Sequence, residues 1–255
     1  MDISSLGGIV LGFVAIGVGM VLKGVSPDAL ANPAAILIIL AGTVAAVAIA
    51  SPLPQLMNVG NLLRIVFTTS KFMTPSEAIE KILEFAEMAR REGLLVLEAR
   101  IQEETDPFLI RGLQLLVDGV DSDQLSESME ADIAAMEGRH AANANVFSQA
   151  GTYAPTLGVL GAVLGLIAAL SHMDDVDELG HAISAAFVAT LLGIFTGYVL
   201  WHPIANKLKQ KSKQEVLVRT IVMEGIVGIC RGMNPRMLRD NLSNYIAASQ
   251  RETGN

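Results

Sequence analysis

Side chains able to handle an ion are scarce in the long apolar runs of this 255-residue chain, and those present are hydroxyls and backbone breaks. Tyr153, Pro155 and Thr156 stand together in one run, Thr190 and Thr196 in another, and Pro203 follows the second. A threonine hydroxyl in a membrane helix usually bonds back to the preceding turn. A proline frees a carbonyl and bends the helix around it. No Asp, Glu, Lys or Arg sits well inside any of these runs. Ionisable groups at depth are what mark proton and ion paths, so this chain alone cannot take up and release a proton at mid-membrane. Elsewhere, Arg90, Arg91 and Glu98 form a charged group that reads most simply as a solvated helix face. His172 and His181 flank Asp174, Asp175, Asp177 and Glu178, an acidic turn from which no metal site is expected. Cys230 is the single cysteine, which excludes a disulfide framework or a cysteine metal cluster within one chain. No phosphate-binding glycine loop, nucleophile elbow or zinc-protease histidine spacing is present. Independent catalysis, a bound cofactor and a nucleic-acid partner are therefore not expected.

The elements that carry these residues follow from composition. Hydrophobic residues make up 51% of the chain, charged residues only 17% and aromatics 5%, with a mean hydropathy of +0.47. A soluble domain carries about 25% charge, and an apolar content drawn from Ala, Val, Ile, Leu, Gly and Met suits closely packed membrane helices. Four runs reach the ~20 residues needed to span a bilayer: about 3–22, 29–50, 150–170 and 179–202. The first lacks a basic leader and a small-residue cleavage site, and is expected to be retained. Of the 18 Lys and Arg residues, Lys23 alone lies between the first two runs and none between the last two. Positive residues mark the cytoplasmic side, which places 51–149, 204–255 and both termini inside, with Lys207, Lys209, Lys211 and Lys213 as the strongest anchor. Small-residue spacings (Gly8 with Gly12, Gly161 with Gly165, Gly193 with Gly197) predict close helix packing.

The stretch 51–149 reads as a helical cytoplasmic domain. Thr74-Pro75-Ser76-Glu77 is a capping box with proline at the first helical position, and Ile79, Ile82, Leu83 and Ala86 follow at helical spacing. Asp106-Pro107 starts a second helix bearing Leu109, Leu113 and Leu116. A third opens near Ser122 with Leu125, Met129, Ile133 and Met136 on one stripe, and no strong breaker separates it from the third span before Pro155. The fold class is all-α: an integral membrane protein with four transmembrane helices and a helical cytoplasmic domain.

Several segments together carry a family resemblance: Gly7 to Met20, Ala31-Asn32-Pro33-Ala34-Ala35, Ala89 to Glu98, Tyr153-Ala154-Pro155-Thr156-Leu157-Gly158, Ala189-Thr190-Leu191-Leu192-Gly193, and Trp201-His202-Pro203. The chain resembles the flagellar stator A-subunit family, MotA of Bacillus type, is close to PomA, and is more distantly similar to ExbB and TolQ. The resemblance implies a non-enzymatic multi-pass protein of the bacterial inner membrane. It implies a stator B subunit, MotB, that carries the proton-accepting Asp, and a homo-oligomer of five A subunits around a B dimer. It also implies torque delivered to the rotor protein FliG. Residue by residue, Arg90 and Glu98, with Arg91 beside them, match rotor-facing charges. Tyr153, Pro155, Thr156, Thr190 and Pro203 match the proton channel and its gate. Sodium-driven relatives place a threonine where Ala162 stands; a methyl offers no oxygen to a dehydrated Na⁺, so protons are the expected ion. Two other functions compete: an ExbB- or TolQ-like energiser of envelope processes, for which three spans are usual, and a small solute transporter, which should show inverted repeats.

Overall fold

The computed structural model describes residues 2–25, 30–69, 72–171 and 176–246. Among them there are helices and no strands. Among the described residues, four helices are long and apolar enough to cross a membrane. The chain divides into two compact units, 1–70 with 140–210, and 71–139 with 211–255.

The first unit holds α1 (Ile3–Leu22), α2 (Pro33–Ala50), the short α3 (Leu53–Met57) and α4 (Val59–Phe67), the second part of α8 (Ser122–Leu170), α9 (Val176–Phe195), a π-helical segment (Thr196–Trp201) and the start of α10 (His202–Cys230). The first two apolar helices begin where a polar side chain satisfies a free N–H group. Asp2 accepts from the Ser5 N–H at 3.2 Å, and Asn32 from the Ala35 N–H at 3.0 Å. Asn32 is followed by Pro33 at the first helical position, so α2 begins at Pro33 rather than near residue 29, which lies outside the described residues. α2 packs on α9, and α1 on α4 and the π-helical segment. Two small apolar clusters fill the unit. One joins Leu62, Val66, Ala144, Phe147, Ile204, Ala205 and Leu208; the other joins Val47, Val146 and Ala150 with Tyr153 and Trp201.

The second unit contains α5 (Pro75–Glu92), a 3₁₀ turn (Leu94–Val96), α6 (Leu97–Ile101), α7 (Pro107–Val117), the first part of α8, the rest of α10 and α11 (Pro235–Ser243). The expected capping box is formed: the Thr74 N–H donates to Glu77 Oε2 at 2.6 Å, and the Glu77 N–H to Thr74 Oγ1 at 3.3 Å. Those bonds hold the Glu77 carboxyl below its usual range. Every residue of the three predicted stripes is buried, and most join Val218, Ile221, Val222, Met223 and Ile226 of α10 in one aliphatic core.

Two helices run further than their apolar stretches. α8 is continuous for 49 residues, Pro155 included. α9, the π-helical segment and α10 run on without a break for 55 residues, so Pro203 does not end the fourth apolar helix. Proline removes one N–H and crowds the carbonyl four residues earlier; the wider π-helical turn directly before it relieves that crowding.

Candidate functional site

The tightest packing in the first unit is a seam of small residues between α8 and the α9–π-helix run. Gly151, Gly158 and Gly165 recur every seven residues on α8, with Ala154 and Gly161 between them; Ala186, Ala189, Gly193 and Gly197 recur on the facing helix. A methyl group on Gly193 would lie 2.8 Å from the Ala154 carbonyl oxygen and 2.8 Å from Gly158 Cα. One on Gly158 would lie 2.9 Å from the Ala189 carbonyl oxygen. These neighbours are backbone and cannot turn aside. At Gly197 the added carbon would meet the Pro155 ring at 2.7 Å and the Gly151 carbonyl oxygen at 2.8 Å. That carbonyl is the one Pro155 deprives of its helical donor, so Pro155 and Gly197 form one close-packed feature. His202 lies against the same glycine: a carbon added at Gly151 would stand 2.7 Å from its ring.

The predicted small-residue pairs behave unequally. Gly193 and Gly197 are central to the seam. Gly161 and Gly165 make ordinary contacts, with an added carbon 3.4 Å from Ala189 Cβ and 3.6 Å from Ala186 Cβ. On α1, Gly12 packs against Val199, whereas Gly8 has nothing within 4 Å of an added carbon. The most intimate pair, Gly158 with Gly193, was not among the predicted spacings, although the seven-residue glycine repeat on α8 is readable.

The hydroxyls bond within their own helices. Thr156 Oγ1 donates to the Tyr153 carbonyl at 2.7 Å, Thr190 Oγ1 to Ala186 at 3.3 Å, and Thr196 Oγ1 to Leu192 at 2.8 Å. Their proton is engaged, and what each offers outward is acceptor lone pairs. Ala162 is half-buried on α8 between Gly161 and Gly165. Tyr153 joins Trp201 and Val47 in an apolar cluster. Two buried polar atoms, Thr43 Oγ1 and Trp201 Nε1, find no partner among the described residues.

Pro203 is placed apart from Pro155. It lines a groove of about 410 Å³ with Ser4, Gly8, Val66, Tyr198 and Lys207. Its lining residue Lys207 forms an ion pair not expected from the sequence: Lys207 Nζ lies 2.7 Å from Asp2 Oδ2 and donates to Ser4 Oγ at 3.1 Å. Asp2 Oδ1 also accepts from Ser4 Oγ at 2.7 Å, and the Asp2 N–H donates to the Phe67 carbonyl at 2.9 Å. The Lys207 bond, seconded by Ser4, holds the Asp2 carboxyl well below the usual carboxylate range.

In the second unit, Arg90 lies in the last turn of α5 and Glu98 in the first turn of α6, and both are exposed. Gly93 joins them at φ +88°, a conformation that favours glycine, with its N–H on the Ala89 carbonyl at 3.0 Å. Arg91 pairs with Glu87 at 3.5 Å, while neither Arg90 nor Glu98 has an ion-pair partner among the described residues. The predicted acidic turn at His172, Asp174 and Asp175 lies outside the described residues, and no group of three potential metal ligands occurs among those described.

A family model described as the MotA/TolQ/ExbB proton channel family matches residues 100–220. Motility protein A of Bacillus subtilis is 59% identical over 251 residues, covering 98% of this chain and 93% of that protein. The chain belongs to the MotA/TolQ/ExbB proton channel family. Among solved structures, the flagellar MotAB stator complex from Bacillus subtilis superposes with a TM-score of 0.92 at 59% identity, covering 97% of each chain. The MotAB structure from C. jejuni gives 0.94 at 33% identity, covering 100% of each. The family model takes in the whole α8–α9 seam, with Tyr153, Pro155, Thr156, Ala162, Thr190 and Pro203. Arg90, Arg91 and Glu98 fall before the residues it matches.

Proposed function

We propose that this chain is the A subunit of a proton-driven flagellar stator, a non-enzymatic, multi-pass protein of the bacterial inner membrane with both termini in the cytoplasm. The observation that carries this reading is the 59% identity to Motility protein A over nearly the whole chain. The chemistry agrees with it. Apart from Asp177 and Glu178 in the first turn of α9, no carboxylate occurs among the described residues of α1, α2, α9 and the apolar stretch 150–170 of α8. A mid-membrane proton acceptor must then come from a second protein, the B subunit MotB. Five A subunits surround a B dimer. Tyr153, Pro155, Thr156, Ala162 and Thr190 line or gate the proton path, with Pro203 at its cytoplasmic end. Arg90, Arg91 and Glu98 face the rotor protein FliG.

Complementation tests this reading. In a strain lacking its own A subunit, the chain expressed with a matched B subunit restores swimming in sodium-free medium, and a protonophore stops it. Without a B subunit, neither cytoplasmic pH nor growth changes. Swimming speed that tracks external Na⁺ at constant proton-motive force, or proton leakage by the purified chain alone in liposomes, overturns the assignment.

A further inference from the structure

The turn between Arg90 and Glu98 contains four consecutive apolar residues, Leu94-Leu95-Val96-Leu97, and they divide sharply. Leu97 is fully buried and Val96 packs against the core, whereas Leu94 is 37% and Leu95 71% exposed. A single exposed leucine on a protein surface is ordinary. This one lies in the 3₁₀ turn that follows Gly93 at φ +88°, and Arg90 and Glu98, on either side of it in the chain, have no intrachain ion partners among the described residues. Two unneutralised charges of opposite sign select and orient a partner, but salt screens them and each holds weakly. Apolar contact is short-ranged and insensitive to salt.

We infer that Leu95, supported by Leu94, is the apolar anchor of this edge, seating against an apolar notch on a protein partner's surface. That surface carries one carboxylate for Arg90 and one cation for Glu98. The inference rests on the rotor-facing reading of the edge and adds the contact that gives it holding strength. Charge brings the two surfaces together in register; the leucine fixes the engaged position; a contact of one side chain remains small enough to release.

The test uses the full chain with its B subunit in nanodiscs and the rotor protein as probe, with binding measured at low and high ionic strength. Leu95→Ala is expected to weaken binding about tenfold at both ionic strengths, and Leu95→Met to restore most of it. Arg90→Ala is expected to weaken binding at low ionic strength only. Because the Leu95 side chain is largely exposed, these variants should assemble with the B subunit normally. Unchanged binding by Leu95→Ala, alongside an Arg90→Ala defect, overturns the anchor and leaves the proposed function standing. Binding unaffected by either variant overturns the rotor-facing edge itself. Failure of the unmodified complex to bind the rotor protein counts against the proposed function. Failure of Leu95→Ala to assemble, or a Leu95-dependent affinity for anionic vesicles in place of the rotor protein, also overturns the anchor.

Discussion

The two units use the same aliphatic residues in opposite ways. In 71–139 and 211–255 the large side chains point inward, and Ile82, Leu97, Leu113, Leu125, Ile221 and Ile226 are completely buried. In 1–70 and 140–210 many large side chains point outward, Ile49 being 89% and Phe187 73% exposed; Leu62, Phe147 and Leu208 fill a local cluster, and along the α8–α9 seam glycine and alanine make the close contacts. Water explains the first pattern, since apolar area removed from it is stabilising. It cannot explain the second. Lipid is as apolar as leucine, so helices gain by close backbone approach instead, and only small residues permit that. The pattern of large and small residues therefore reads out the solvent around each unit.

The sharpest way to break this contrast is at the seam. Gly193→Leu places its Cβ on backbone atoms 2.8 Å away, and should abolish both accumulation in the membrane and motility, scored by immunoblot and soft-agar spreading. Gly7→Leu, with nothing within 4 Å of its added carbon, should do neither. Next comes the water-facing unit's core. Leu113→Ala should cost about 2–5 kcal/mol, visible as a lowered melting temperature and faster proteolysis, while Ile49→Ala should leave both unchanged. Reversing both edge charges, Arg90→Glu with Glu98→Lys, should impair swimming strongly with assembly and B-subunit binding intact. Each single reversal should have a modest effect, because an exposed pair is worth about 0.2–1 kcal/mol. The smallest effect is expected at Asp2. Its carboxyl is depressed in the folded state, so its contribution is fully present above the usual carboxylate range and is lost only as pH falls through the lowered value. Asp2→Asn should thus lower the melting temperature slightly, and by the same amount at every pH from about 5.5 to about 7.5.

Much of the architecture was legible because its signals are local. Thr74-Pro75 and Asp106-Pro107 announce helices through caps, and the stripes that follow name the core before any packing is known. Asn32-Pro33 carried the same kind of signal and places the start of α2, but length counting overran it. Long-range features were less legible. Pro203 looks like a helix terminator in one dimension, and only the π-helical segment explains how the chain continues through it. Leu53–Met57, Val59–Phe67 and Pro235–Ser243 are too short for apolar periodicity to stand out, although Asn234-Pro235 is a readable start. The ion pair of Asp2 with Lys207 joins residues 205 positions apart, and nothing local to either foretells it. Within the candidate site, chemistry-bearing residue types were visible, but which of them touch was not: Pro155 meets Gly197, and Pro203 faces Ser4 and Gly8.

The glycine seam has a mechanical consequence. Interlocking leucines behave like gear teeth, since sliding one helix past another requires several rotamers to unlock together. Glycine has no side-chain torsion and alanine only a methyl, so the α8–α9 seam is assembled without freezing any rotamer. It also holds none that would have to click over. A small rotation or axial slip of α9 along α8 therefore meets a smooth surface rather than a ratchet, and the joint is tight and low in friction at once.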